Sequence, residues 1–220
     1  MRRVWITRTQ PQADATAARL LALGFEPVVA PVLVTRPVAD AGVDLSGVEA
    51  LAFTSATGVR AFAGLSPARD LPVFAVGSAT AEAARTAGFD DVQIGGGDVH
   101  ALVAAILAAT PGRVLNPTAR APAADLTALL AAHGVSASSI VVYETVPTGE
   151  AAPVDIDALL VHSPRAARIV ADLISSARAA ALRAFVISEA AAAPLRTLAF
   201  ATIATALFPD EASLLDLLQG

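Results

Sequence analysis

The sequence predicts an α/β protein built on parallel sheets, and three observations predict it. First, short apolar runs end in Ser, Thr or Gly and lead straight into Ala-rich helical stretches. Val4-Trp5-Ile6-Thr7-Arg8, Leu51-Ala52-Phe53-Thr54-Ser55, Val73-Phe74-Ala75-Val76-Gly77-Ser78-Ala79-Thr80 and Leu159-Leu160-Val161-His162-Ser163 all do so. Second, strand and helix patterns alternate along the whole chain. Third, the alternation repeats internally. A parallel sheet collects such junctions along one edge, outside the carboxyl ends of its strands, where open α/β folds bind ligands. Helix starts carry unpaired N–H groups and a partial positive charge, so a row of them suits an anion.

Taken in order, Val4–Thr7 reads as a strand, Gln12–Leu23 as a helix closed by Gly24, and Phe25–Ala30 as a second strand. Pro31, Pro37 and the stretch Asp40–Ser46 break the pattern. Leu51–Phe53 resumes as a strand and Ala56–Phe62 as a helix. Val73–Val76 is a strand, Thr80–Ala87 a helix closed by Gly88, Val92–Ile94 a short strand and His100–Ala109 a helix. Val114–Leu115 is a strand, Ala123–His133 a helix closed by Gly134, and Ser139–Tyr143 a strand. Pro147–Pro153 reads as a linker. Then come a strand at Ala158–Val161, a helix at Arg165–Ile174, a strand at Phe185–Ile187 and an Ala-rich helix near Glu189–Leu198. A weak strand near Ala201–Ala204 and a helix near Glu211–Leu218 finish the chain.

The segments Val4–Val38 and Val114–Thr148 share one plan, and Leu51–Ile106 and Leu159–Leu218 share another. Phe53 aligns with Val161 and Gly77 with Ser188. Two pairings build two similar domains from this order: each half folds alone, or the two middle segments form one domain and the outer segments the other. Composition does not separate them. The Pro-marked crossings favour the second, because they look like adjacent linker strands between two lobes, with a cleft between.

The chain has 220 residues, 55% of them apolar, with 14 Gly and 14 Pro, enough for a packed core. It has no cysteine, which excludes disulfides, thiolate zinc sites and cysteine nucleophiles. No apolar run approaches the roughly 20 residues of a membrane span. The apolar stretch after Met1-Arg2-Arg3 is too short for a signal peptide, so a cytoplasmic protein is expected. Net charge is −5 and all 15 basic side chains are arginine. Nucleic acid is therefore not an expected partner. Arginine suits carboxylates, because its planar fork binds both oxygens. The three histidines are not at metal spacing, and no metal is expected. Gly95-Gly96-Gly97 lacks the Gly-x-Gly-x-x-Gly order and reads as a flexible loop.

Thr7-Arg8, Gly24-Phe25-Glu26-Pro27, Pro31, Phe53-Thr54-Ser55-Ala56, Val76-Gly77-Ser78-Ala79-Thr80-Ala81, Ala87-Gly88-Phe89, Val142-Tyr143-Glu144-Thr145 and His162-Ser163-Pro164 together resemble the uroporphyrinogen-III synthase family, in order and over nearly the whole chain. The resemblance implies an α/β fold of two similar doubly wound parallel-sheet lobes joined by a two-stranded linker. The discontinuous first lobe would hold residues 1–35 and 148–220, the second residues 38–144, with linkers near 35–38 and 144–148. It implies a cofactor-independent cyclising hydro-lyase. That enzyme takes hydroxymethylbilane, a linear octacarboxylate tetrapyrrole, removes water, inverts the last pyrrole ring and closes the macrocycle. The expected partner is this anionic small molecule, with no metal or organic cofactor, no membrane and no nucleic acid. A monomer is expected, since no long apolar patch or heptad seam is present.

By the same resemblance Tyr143, the one tyrosine of the chain, takes the role of assisting the departing hydroxyl. Ser55, Thr80, Ser163 and Arg8 match positions that line the site. Arg120 occupies the repeat position of the Arg8 loop and is a second carboxylate-binding candidate. Arg165 stands in a first turn, where a cation opposes the helix dipole, and is another. Arg60, similarly placed, reads as a surface residue. Each has a plainer reading: Ser55, Thr80 and Ser163 as N-caps, Tyr143 as a packed strand aromatic, Arg8 as a solvated arginine, and His162 as a hydrogen-bonded structural histidine.

The chain departs from the family pattern at Ile187-Ser188-Glu189-Ala190-Ala191-Ala192, where a Gly-x-Thr-Ala-like loop is usual. The hydroxyls there are replaced and Glu189 would repel an octacarboxylate that it faced. His162 stands for a usual Thr, and Thr9 for a Pro. These departures motivate an alternative: a weakened or inactive family member that binds a tetrapyrrole or polycarboxylate. A periplasmic-type solute receptor shares the two-lobe logic but would need a signal peptide.

Overall fold

The computed structural model describes residues 2–39 and 41–219; Asp40, in the expected break, lies outside them, as do both terminal residues. The chain divides into two compact units, Met1–Val34 with Val146–Gly220, and Thr35–Thr145. Among the described residues no helix is long and apolar enough to cross a membrane.

The first unit carries a parallel sheet of β1 (Arg3–Ile6), β2 (Glu26–Val29), β9 (Ala158–Val161), β10 (Arg183–Val186) and β11 (Thr202–Thr205), in the order β11-β10-β9-β1-β2 among the described residues. Successive side chains of a strand face opposite ways. Val4 and Ile6 therefore join Leu160, Phe185, Leu20 and Leu214 in one core layer, while Trp5 joins Leu159, Val161, Val170 and Leu195 in the other. Burial on both faces explains why the strands read as unbroken apolar runs. The helices α1 (Gln12–Ala22), α6 (Pro164–Leu173), α7 (Ser176–Ala179), α8 (Glu189–Ala192) and α9 (Glu211–Asp216) complete the unit. The order reverses between β1 and β9, the topological switch point of this sheet.

The second unit carries β4 (Val48–Phe53), β5 (Val73–Ala75), β6 (Val92–Ile94) and β7 (Arg113–Ala119), with β3 (Leu33–Pro37) and β8 (Ala137–Pro147) entering from the chain crossings; the order is β3-β8-β7-β4-β5-β6 among the described residues. Val38 N–H bonds Val142 O at 2.9 Å and Thr148 N–H bonds Val32 O at 3.1 Å, the pattern of an antiparallel β3–β8 pair. One face packs Leu51, Phe53 and Val73 on Phe62 and Phe89, with Phe53 and Phe62 rings edge to face at 5.8 Å. The other packs Ala50, Phe74 and Val114 on Leu102, Ile106 and Leu126. The helices are α2 (Ala56–Leu65), α3 (Ser78–Thr86), α4 (Val99–Ala109) and α5 (Leu126–Ala131). The switch point lies between β4 and β7.

Several elements differ from the sequence expectation for identifiable reasons. The strand expected at Val114–Leu115 runs on to Ala119 and contains Pro117. Its pairing with β4 ends at Leu115, so Pro117 has a ladder partner only in β8 and its missing N–H costs nothing. There Asn116, buried, donates from Nδ2 to Ala52 O at 2.7 Å in place of the lost ladder bond. The helix expected at Ala123–His133 starts only after Asp125, whose carboxylate accepts from Ala128 N–H at 3.1 Å. The helix expected over Glu189–Leu198 splits, with a 3₁₀ segment at Ala193–Thr197, because Pro194 cannot continue an α ladder. The short helix α7 is an addition. Pro37 closes strand β3, and Pro147 closes strand β8 instead of opening a linker. The Gly95–Gly97 segment is tied to the end of β5 by Gly95 N–H to Ala75 O (2.8 Å) and Gly97 N–H to Val76 O (2.7 Å). Gly24 follows α1 at φ +82°, the left-handed position that its pattern required.

Candidate functional site

The β4–β7 switch point places Ser55 and Tyr143 together. Ser55 follows β4 as the N-cap of α2, and its Oγ accepts from Gly58 N–H at 3.0 Å. Tyr143 lies on β8, half-buried, and its hydroxyl is 3.0 Å from the same Oγ. The approach is close: a Cβ on Gly58 would stand 3.0 Å from Pro117 O. A serine hydroxyl has one hydrogen and two acceptor sites. With Oγ accepting from Gly58, its own hydrogen can go to the Tyr143 oxygen. The phenolic hydrogen is then left to donate elsewhere.

Tyr143 also lines a pocket of about 510 Å³ in the second unit, together with Thr35, Thr57, Arg60, Ala61 and Gly64 among others. Small-molecule sites span about 300–1,000 Å³. Thr35 Oγ1 lies 3.2 Å from Thr145 Oγ1 beside it. Arg60, read from sequence as a plain surface residue, is exposed but forms part of this wall, as do Thr57 and Thr35, which the sequence reading did not single out. A signal was present: Thr57, Arg60, Ala61 and Gly64 recur at helical spacing, opposite the packed face of Gly58, Val59 and Phe62.

The other second-unit candidates stand apart from that pocket. Thr80 is buried, and it is not an N-cap: Gly77 takes the cap position, and Thr80 is the third residue of α3. Arg120 is exposed at the end of β7 and its Nε donates to Glu144 Oε2 at 2.6 Å.

The β1–β9 switch point of the first unit holds a polar cluster. Arg8 Nη1 lies 2.5 Å from Glu211 Oε2, His162 Nε2 is 3.0 Å from the same oxygen, and Thr16 donates to Glu211 Oε1 at 2.5 Å. Arg19 reaches Glu211 Oε1 at 4.0 Å. Burial alone would raise the Glu211 pKa. Hydrogen bonds from His162 and Thr16, with the charges of His162 and Arg8, outweigh that and hold it at about 2. Arg8 is therefore committed to an internal carboxylate. His162 has a partner at Nε2, while Nδ1 is buried with none among the described residues. Ser163 caps α6, accepting from Ala166 N–H at 3.1 Å, and Arg165 is exposed in the first turn of that helix. Glu189 is largely exposed, accepts from Thr205 Oγ1 at 2.7 Å and pairs with Arg196; those bonds hold its carboxyl below the usual range. Among the described residues no three His, Asp or Glu side chains converge as metal ligands.

Two doubly wound sheets, parallel apart from the β3–β8 pair, carry hydroxyls, a phenol and arginines near their strand-order reversals; they define an α/β protein of the class whose switch points are its ligand sites. The model of the uroporphyrinogen-III synthase HemD family matches residues 14–216. The chain belongs to the uroporphyrinogen-III synthase family. Among solved structures it is similar to uroporphyrinogen-III synthetase from Helicobacter pylori, with TM-score 0.66 and 17% identity over 100% of this chain and 99% of that one. It is also similar to a mutant uroporphyrinogen III synthase from Thermus thermophilus, with TM-score 0.51 and 19% identity over 100% and 98% of the two chains. At these identities the likeness is one of fold. A search of curated protein sequences finds no match.

Proposed function

We propose that this chain closes hydroxymethylbilane to uroporphyrinogen III, with loss of water and inversion of the last pyrrole ring, and that Tyr143 assists the loss of water. The two units serve in this reading as the family's two lobes, with β3 and β8 as the linker strands. The observation that carries it is the hydrogen bond between Tyr143 and Ser55 at the rim of an accessible pocket. The substrate's pyrrole nitrogen supplies the electron pair that expels the hydroxyl from the hydroxymethyl carbon. The Gly58–Ser55–Tyr143 chain of hydrogen bonds aims the phenolic hydrogen outward, where it stabilises the negative charge growing on that hydroxyl. Each bond polarises the next, so the phenol is a better donor than an isolated one.

Ser163 and Thr80, at other helix starts, are proposed to hold substrate carboxylates, with Arg165 beside Ser163. Arg8 and Arg120 could join them only by giving up Glu211 and Glu144. The pairing of Glu189 with Arg196 offsets the repulsion that its carboxylate would exert on a polycarboxylate. The proposed working form is a cytoplasmic monomer that takes no nucleic acid, in keeping with the net charge of −5. Turnover by Tyr143→Phe tests the role. The variant is expected to fold and to lose about a hundredfold in kcat, the low end of general-acid contributions. Wild-type turnover would remove Tyr143 from the mechanism.

A further inference from the structure

Several arginines of the protein are spoken for. Arg8, Arg120 and Arg196 pair with Glu211, Glu144 and Glu189. Arg69 donates to the backbone carbonyls of Ala87, Ser66, Ala68 and Ala63. Arg60 differs. Its one hydrogen bond among the described residues is a long one, from Nη2 to Thr57 Oγ1 at 3.4 Å, a turn back on the same helix. It borders a second depression with Glu82, yet no nitrogen–oxygen distance of 4.0 Å or less joins the two. The residue is exposed and forms part of the wall of the pocket that Tyr143 also lines. A planar fork of five donors with one weak acceptor is an unfilled carboxylate site. As the fifth residue of α2 it lies beyond the first turn, so the helix dipole does not call for it there.

We infer that Arg60 is the substrate-anchoring residue of the Tyr143 pocket, gripping a carboxylate on the same pyrrole ring that carries the departing hydroxyl. The inference rests on the synthase reading and adds to it the group that selects the ring. A pyrrole of this substrate bears its acid side chains on the carbons next to the reacting ones. A carboxylate held by Arg60 therefore fixes where the hydroxymethyl group meets the phenol. It also fixes where the electrophilic carbon left by the hydroxyl meets the far terminal ring, the one that must invert. Without that placement the far ring closes at its free carbon, as it does in solution, without inversion.

The test uses the whole chain with freshly generated hydroxymethylbilane, and separately with uroporphyrin as a stable octacarboxylate whose fluorescence reports binding. Arg60→Ala is expected to raise KM about tenfold, the worth of one charge-assisted pair at a wet site. It should also raise the type I share of product and weaken uroporphyrin binding about tenfold, without a change in Tm. Arg60→Lys should recover part of each. Arg85→Ala removes the same charge from the same unit, away from the pocket, and should leave KM and isomer ratio as they are. KM and isomer ratio unchanged in Arg60→Ala, or shifted equally in Arg85→Ala, would overturn the inference while the synthase reading stands. Type I product alone from the wild type, with uroporphyrin binding still lost in Arg60→Ala, would sink the synthase reading and leave the anchor in place.

Discussion

Ser55 carries two loads on one oxygen: it ends the unpaired N–H row of α2 and it positions a phenol. An N-cap is worth about 1 kcal/mol. Ser55→Ala should therefore lose about that much stability and, in addition, lower kcat, because the Tyr143 hydroxyl loses its anchor. Asp98→Ala is the matched control. Asp98 caps α4 with two bonds of 2.8 Å and touches no part of the pocket, so it should cost similar stability with turnover unchanged. Denaturant melts and initial rates on both variants check this; equal rate losses would reduce Ser55 to a cap. At this scale the sequence was partly legible. Ser55 and Ser163 could be placed at helix starts because capping is a local rule. Arg60 could not be placed, because its meaning depends on Tyr143, a residue far along the chain that only the sheet order brings near.

Among the elements, α9 depends on one carboxylate. Glu211 ties that six-residue helix to β1 through Arg8, to α1 through Thr16 and to β9 through His162. Its folded pKa of about 2 lies below the ordinary glutamate value of 4.5. The stabilisation is thus complete above about pH 4.5 and is lost as the pH falls toward 2. The shift corresponds to something on the order of 3 kcal/mol. Glu211→Gln should lose most of it at neutral pH and flatten the stability curve between those two pH values. Urea melts across that range check it, and an unchanged slope would contradict the assignment. The partners of Glu211 could not be read from the sequence, since they lie in three separate segments. Element ends were less legible than element types. Pro194 marks its own break in plain sight, whereas Pro117 sits inside a strand because only the tertiary pairing leaves that side of β7 without a partner.

At the scale of the molecule, the internal repeat made the α/β class readable, because two copies of strand, polar turn and helix reinforce one another. β1 pairs with β9, so the first segment of the chain shares a sheet with the last. The repeat also explains why chemistry is unequal between the units. The switch point of one presents a phenol, a serine and an arginine with no carboxylate partner among the described residues. That of the other is filled by its own Glu211. Both follow the strand-turn-helix plan of the repeat, and the side chains at their strand ends differ.

The most direct measurement is the isomer of the product that the wild-type protein makes from freshly generated hydroxymethylbilane. Uncatalysed closure gives uroporphyrinogen I. The account predicts type III product well above that background, rising in proportion to protein concentration. Type I product alone, from a folded protein at any concentration, would contradict it.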